Sequence, residues 1–350
     1  MRHGGDLISY EKYYDGELID FSSNINPLGL PDGLKEELID SFPHMTSYPD
    51  IKYRHLKFSI SQYLKCEPDN VIVGNGAVDI INNFILMFPR IIVVLPSFSE
   101  YEERALIYDK EIVRLRYKDD FTLDIGSIEK SIDPNSLLIL GNPNNPTGLR
   151  IDKETLINIY QIVREKGGYL LLDEAFYEFC PKDYDSTQLF GKEDFKNVGI
   201  IRAATKFFAL PGIRLGYGCV SRDMAERYGK VELPWSVNSL ADRAGRYIFE
   251  CKDYIRDSQA YIEGEREFLL KELNEIKGIR PFPTHTNYIL IKLLKWKEDY
   301  VFHFFLKRGL LIRKCSSFSG MDDTYIRVAI KDRENNLKLI QVFKELERSI

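Results

Sequence analysis

Five short apolar runs constrain the fold of this chain more than any other feature: "NVIVG" (70–74), "RIIVVLP" (90–96), "SLLILGNP" (136–143), "GYLLLDEA" (168–175) and "NVGIIRAA" (197–204). Continuous apolar runs bounded by turn-forming residues read as strands buried on both faces. Their alternation with longer amphipathic stretches predicts parallel strands joined by helical crossovers, an α/β sheet. Each run ends in a polar or glycine-bearing tip: "GNG", "PSF", "GNPNNPTG", "DEAF" and "ATK". In such sheets ligands gather at the carboxyl ends of the strands, so these tips are expected to converge although they lie far apart along the chain.

After "PWSVNSLA" the texture changes to long charged helical stretches, and then to a smaller pattern of strand-like "TNYILIKL", helix-like "EDYVFHFFLKR" and strand-like "GLLIRKC" and "YIRVAI". We expect three parts: an N-terminal arm over 1–30 that packs with the small domain, a large domain over 31–238, and a small α+β domain over 239–350.

The formal net charge of −5, with Lys and Arg scattered, supplies no footprint for nucleic acid. Five widely spaced cysteines without a C-x-x-C pair argue against a disulfide or metal framework. No apolar run approaches the ~18 residues of a membrane span, and the first residues lack a basic-then-apolar leader. The expectation is a cytoplasmic protein without a metal site and without nucleic-acid or membrane partners.

Chemistry is concentrated at the strand tips. In "VGNGAVDIINNF" the glycines before a helix-like segment free backbone N–H groups to face an anion, with the helix dipole adding to the attraction; turn-making alone also explains them. Asp173 follows an apolar run, where a carboxylate needs a cation or several donors; it also suits a helix cap. In "GNPNNPTG" the prolines and glycines fix an irregular turn and leave amide side chains projecting at the strand end. Lys206, in "IIRAATKFFALPGIRLGYG", is either a solvated loop charge or an amine held in a dry pocket. Eight residues on, Arg214 offers a planar guanidinium. An amine, a carboxylate, an amide and an anion cradle are together what pyridoxal phosphate requires.

In this order, and over essentially the whole chain, these motifs resemble those of the fold-type I pyridoxal phosphate enzymes of the aminotransferase superfamily. The resemblance implies a large domain with a mixed, mostly parallel sheet sandwiched by helices, plus the smaller α+β domain. It makes Lys206 the catalytic amine that binds the cofactor's carbonyl carbon, Asp173 the partner of the ring nitrogen and Asn145 the donor to the ring oxygen. Phe98 would stack on the ring, while Gly76, Ala77, Val78, Thr205 and Arg214 would hold the phosphate. Tyr48, in "SYPD", would reach the phosphate of a neighbouring subunit, which implies a homodimer with shared sites.

Two branches compete, L-threonine-O-3-phosphate decarboxylases, whose product serves cobalamin biosynthesis, and histidinol-phosphate aminotransferases. The first is favoured by "HGG" followed by "DFSSNINPLG", by "TKFFALPGIRLGY", by "PWSVN" and by "LIRKCSSF…YIRVAI". Aminotransferases of the second branch typically carry Tyr where this chain has Phe176 at the cofactor, although core packing explains Phe176 equally well. Ala203 and Asp6 depart from the family pattern.

The implied activity is decarboxylation of L-threonine O-3-phosphate to (R)-1-amino-2-propanol O-2-phosphate, with histidinol-phosphate or aromatic amino acid transamination as the alternative. The substrate would be a phosphorylated amino acid or amino alcohol. Arg327 would hold its carboxylate and Arg313 its phosphate, with His3 and Asn26 from the arm as helpers. A ligand-sensing regulator on the same fold would carry an appended DNA-binding domain, for which an arm beginning at residue 1 leaves no room.

Overall fold

The computed structural model of the protein describes residues 4–349. The arm contributes a short strand, β1 (Ile19–Asp20). The large domain then builds β2 (Val71–Asn75), β3 (Arg90–Leu95), β4 (Glu111–Arg116), β5 (Ser136–Gly141), β6 (Tyr169–Asp173), β7 (Val198–Ala203) and β8 (Leu215–Cys219). These form one seven-stranded sheet in the order β2-β8-β7-β6-β5-β3-β4. All its pairings are parallel except those of β8, which runs antiparallel to both β2 and β7.

The five apolar runs are β2, β3, β5, β6 and β7. Helices cover both faces, so every residue of β5, β6 and β7 is buried, which is why these strands read as largely apolar runs rather than as alternating ones. The sheet is mixed and mostly parallel, as the sequence predicts.

The smaller sheet comprises β9 (Ile279–Pro281), β10 (Tyr288–Leu293), β12 (Arg313–Lys314) and β13 (Tyr325–Ala329), antiparallel in the order β12-β13-β10-β9. The remaining strand, β11 (Leu310–Leu311), pairs in parallel with β1 and fastens the arm beside this sheet.

The first helix beyond residue 238, Ser239–Ile248, packs on helices Leu34–Ser41 and Arg54–Leu64. Its buried face carries Ala241, Ala244 and Gly245, small enough to let Leu56 and Leu215 approach closely. The long helix Lys252–Asn274 follows. No helix among the described residues is long and apolar enough to cross a membrane.

Candidate active site

The carboxyl ends of β2, β3, β5, β6 and β7 meet along one edge of the large sheet, facing the small domain across a cavity of about 510 Å³. The chain leaves β7 at Ala203, loops through 204–214 and returns in β8, whose antiparallel course sets Gly216 opposite Ala203 and Leu215 opposite Asn75. This reversal brings Arg214 back to the edge where Lys206 stands.

Below Arg214 lies Gly76, which caps helix Ala77–Met87 with φ of 81°. A Cβ on Gly76 would collide with the Arg214 guanidinium, and one on Gly216 would collide with the Gly76 carbonyl carbon and the Ala77 nitrogen. Two glycines thus allow an arginine and an open helix N-terminus to share one small space, an arrangement suited to a multiply charged anion.

Asp173 closes β6 and is nearly buried. One of its oxygens accepts from the Tyr101 hydroxyl at 2.6 Å and the other from the Ala175 N–H at 3.0 Å. Burial raises its pKa, and these donors act against the rise. The Lys206 amine is held at about 8, first by burial and then by the charges of Arg327 and Arg214.

Across the cavity, Arg313 of β12 stands directly opposite Arg327 of β13. Both are buried. Arg327 donates to the Asn145 side chain and, at 3.0 Å, to the Ser22 carbonyl, while its Nε has no partner. Arg313 donates to Ser317 Oγ at 2.6 Å. Burial and the neighbouring Arg327 bring Arg313 down to about 10. Among the described residues neither Arg214 nor Arg327 has a carboxylate within ion-pair distance. Arg327, a buried cation left in this state, calls for an anionic ligand.

Of the residues singled out in the sequence, Ala77, Val78, Phe98, Asn145, Asp173, Phe176, Thr205, Lys206, Arg214, Arg313 and Arg327 line this one cavity. Phe176 does so while also packing edge-on against Tyr288, with ring centroids 5.0 Å apart.

Asn26 does not line the cavity; its amide nitrogen donates to the Phe207 carbonyl at 2.8 Å, Tyr254 Oη at 3.0 Å and Ser258 Oγ at 2.8 Å. Its own N–H bonds the Lys206 carbonyl at 3.0 Å, so it braces the lysine loop from behind. Tyr48 is 82% exposed, packs at a tilt against Trp235 and lies outside the cavity of its own chain. His3 lies outside the described residues.

Sequence reasoning missed Tyr101, Gly216 and Asn24. Asn24 lines the cavity with a buried side-chain oxygen that has no donor. The signal for Tyr101 was its place one helical turn after Phe98 in "SFSEY".

The donor set fits pyridoxal phosphate. A neutral-prone amine, an anion cradle and a buried carboxylate aimed into the same cavity match its carbonyl, its phosphate and its ring nitrogen.

Comparison with known proteins agrees. A protein of Caldanaerobacter subterraneus that carries the provisional name threonine-phosphate decarboxylase is 39% identical over 350 residues, 98% of this chain and 93% of that protein. The threonine-phosphate decarboxylase of Salmonella typhimurium is 31% identical over 335 residues, 94% of this chain and 91% of its own. The crystal structure of the histidinol-phosphate aminotransferase from Clostridium acetobutylicum superposes with a TM-score of 0.89 at 36% identity, covering 95% of this chain and all (100%) of that one. The family model for aminotransferase class I and II matches residues 16–343, and the chain belongs to that family of pyridoxal phosphate enzymes.

Proposed function

We propose that the protein is a pyridoxal phosphate-dependent carboxy-lyase acting on L-threonine O-3-phosphate and releasing (R)-1-amino-2-propanol O-2-phosphate. The observation that carries this reading is the cross-strand pairing of Arg313 with Arg327, two buried guanidiniums that line the Lys206 cavity side by side. Like charges directly opposite each other in a sheet are unfavourable, so the pair suits a ligand that brings two anionic groups. A phosphorylated amino acid has both a carboxylate and a phosphate. Histidinol phosphate has only the phosphate, which both arginines would then share. The names of two relatives, at 39% and 31% identity, point the same way.

In this reading Lys206 carries the cofactor. The N-terminus at Gly76, Ala77 and Val78, with Thr205 and Arg214, holds the cofactor's phosphate. Asp173 holds the proton on its ring nitrogen, Asn145 donates to its ring oxygen, and Phe98 and Phe176 wall the ring. When bound, pyridoxal phosphate supplies a conjugated electron sink joined to the substrate nitrogen.

The chain's residues select what enters that sink. Arg327 fixes the direction of the carboxylate and Arg313 that of the phosphate, which orients the bonds at the α-carbon and favours loss of CO₂ over loss of the α-proton. Asn145 keeps Arg327 in place through its side-chain oxygen. With a pKa of about 8, Lys206 is neutral near neutral pH about two orders of magnitude more often than a free lysine. It therefore takes up and returns protons readily, and its Nζ delivers the proton that the α-carbon gains after CO₂ departs. The rings of Phe98, Phe176 and Phe318 line the cavity and limit the water that reaches it.

The rival reading, transamination of histidinol phosphate, is favoured by the likeness to the Clostridium acetobutylicum structure. We also take the enzyme to be a homodimer with shared sites, since Tyr48 is exposed and outside its own chain's cavity.

The deciding experiment incubates the cofactor-loaded protein with O-phospho-L-threonine and follows CO₂. Release without any 2-oxo acid is expected. Turnover only when an amino acceptor is supplied would reverse the choice.

A further inference from the structure

We infer that Tyr101 is a positioning residue for the cofactor, its hydroxyl fixing the Asp173 carboxylate and its ring fixing Phe98, so that one side chain sets two of the surfaces that meet the cofactor ring. The inference rests on the proposed role of Asp173.

Tyr101 lies in the first turn of helix Ser99–Ile107, three residues past Phe98, and residues three apart on a helix neighbour each other on one face. It is 2% exposed. Its hydroxyl meets Asp173 Oδ2 at 2.6 Å, while Asp173 Oδ1 takes the Ala175 N–H at 3.0 Å. A carboxylate with one oxygen held by the main chain and the other by a phenol cannot turn about its Cβ–Cγ bond without breaking one of the two. The direction of the first bond is settled, because an ionised carboxylate only accepts and the phenol must donate.

That donation has a chemical consequence. A carboxylate buried among apolar groups tends to take up a proton itself, and one that is to hold a proton on a ring nitrogen must stay ionised. Burial moves Asp173 toward the protonated form, and the Tyr101 hydroxyl is the foremost group acting against it.

The ring of Tyr101 has a separate task. It meets Phe98 edge to face, with centroids 5.7 Å apart and planes at 87°, a favoured aromatic geometry that restrains the tilt of Phe98. The helix that carries both residues is tied down in turn, since Glu102 pairs with Arg114 and accepts at 2.7 Å from Ser319, in the loop between β12 and β13.

Tyr101→Phe removes a single oxygen and keeps the ring. The apoprotein is expected to fold with little change in melting temperature. Loss of a charge-assisted hydrogen bond to the ring's anchor should weaken pyridoxal phosphate binding by about tenfold, measured by equilibrium dialysis. In the loaded protein the downfield proton resonance of the ring nitrogen should shift or disappear, and kcat should fall with KM for O-phospho-L-threonine unchanged. Tyr101→His, which restores a donor without the phenol, should recover part of the affinity and serves also if the Phe variant folds poorly.

Asp173→Asn separates the two levels of the argument. If the ring-nitrogen resonance survives in Asp173→Asn, the role given to Asp173 is wrong. If it vanishes there, yet Tyr101→Phe keeps both the resonance and the wild-type affinity, the inference about Tyr101 is overturned.

Discussion

At the scale of single residues, the chemistry turns on what burial does to Lys206. Its pKa of about 8 lies below the ordinary lysine value because the cavity desolvates the ammonium and two guanidiniums repel it. This carries a stability consequence for the apoprotein. Below pH 8 the amine is charged in both folded and unfolded chains, and the folded state bears the full cost of the buried charge. Between about 8 and the ordinary value near 10.5 the unfolded chain binds more protons, so stability contributed by this group rises with pH and is lost again as pH falls through 8. Lys206→Met removes the cost. The variant apoprotein is therefore expected to exceed wild type in stability at pH 7, by up to about 3 kcal/mol, and the margin should narrow steadily toward pH 10. Denaturant melts at pH 7 and pH 9.5 measure it. A margin that does not change with pH would mean that Lys206 titrates as an ordinary surface lysine.

At the scale of elements, two strand pairings make the site: β8 returning antiparallel beside β7, and β12 lying against β13. The second sets Arg313 against Arg327 and predicts a response to divalent anions. In the cofactor-loaded protein, where the cradle at Gly76 is already filled, millimolar sulfate should raise Tm by about 2–4 °C over chloride at equal ionic strength, and Arg313→Met/Arg327→Met should lose that gain. An equal gain in the double variant would place the anion elsewhere. These elements were unevenly legible. Asp173 and Lys206 stood out because strands buried on both faces are mostly apolar, so a charged residue at the end of β6 or just past β7 is conspicuous. β4 was not read, since this edge strand alternates partly buried apolar positions with exposed charged ones in "EIVRLR". β8 was not read either, because "LGYGC" owes its glycines to the close approach of neighbouring backbones rather than to a turn. For Tyr101 the sequence carried its spacing from Phe98 but not its bond to Asp173, a partner lying 72 residues away. The bracing position of Asn26 was not legible, because the direction of its amide is set by Tyr254 and Ser258, more than 200 positions distant.

At the scale of the whole molecule, one chain supplies the cavity but leaves an apolar surface exposed. Tyr48 and Trp235 pack with centroids 4.7 Å apart, and Met45, Ile51 and Leu233 are also exposed. If a second copy covers this surface and Tyr48 enters the neighbour's site, the two chains must complement each other in a way that no arrangement of independent monomers can reproduce. Lys206→Ala chains have no amine at their own cavity but present a normal Tyr48 to the partner. Tyr48→Phe chains keep the amine and present a ring without its hydroxyl. In a mixed dimer, the cavity of the Tyr48→Phe chain then combines an intact Lys206 with an intact Tyr48 from the other chain, one fully wild-type site per dimer, while the second cavity is dead. Each parent alone should be impaired, the first completely and the second through weaker cofactor binding. Unfolding and refolding an equimolar mixture should raise activity, at limiting cofactor, above the average of the two parents. Activity equal to that average after mixing, with dimers confirmed by light scattering, would mean that Tyr48 serves no site but its own surface.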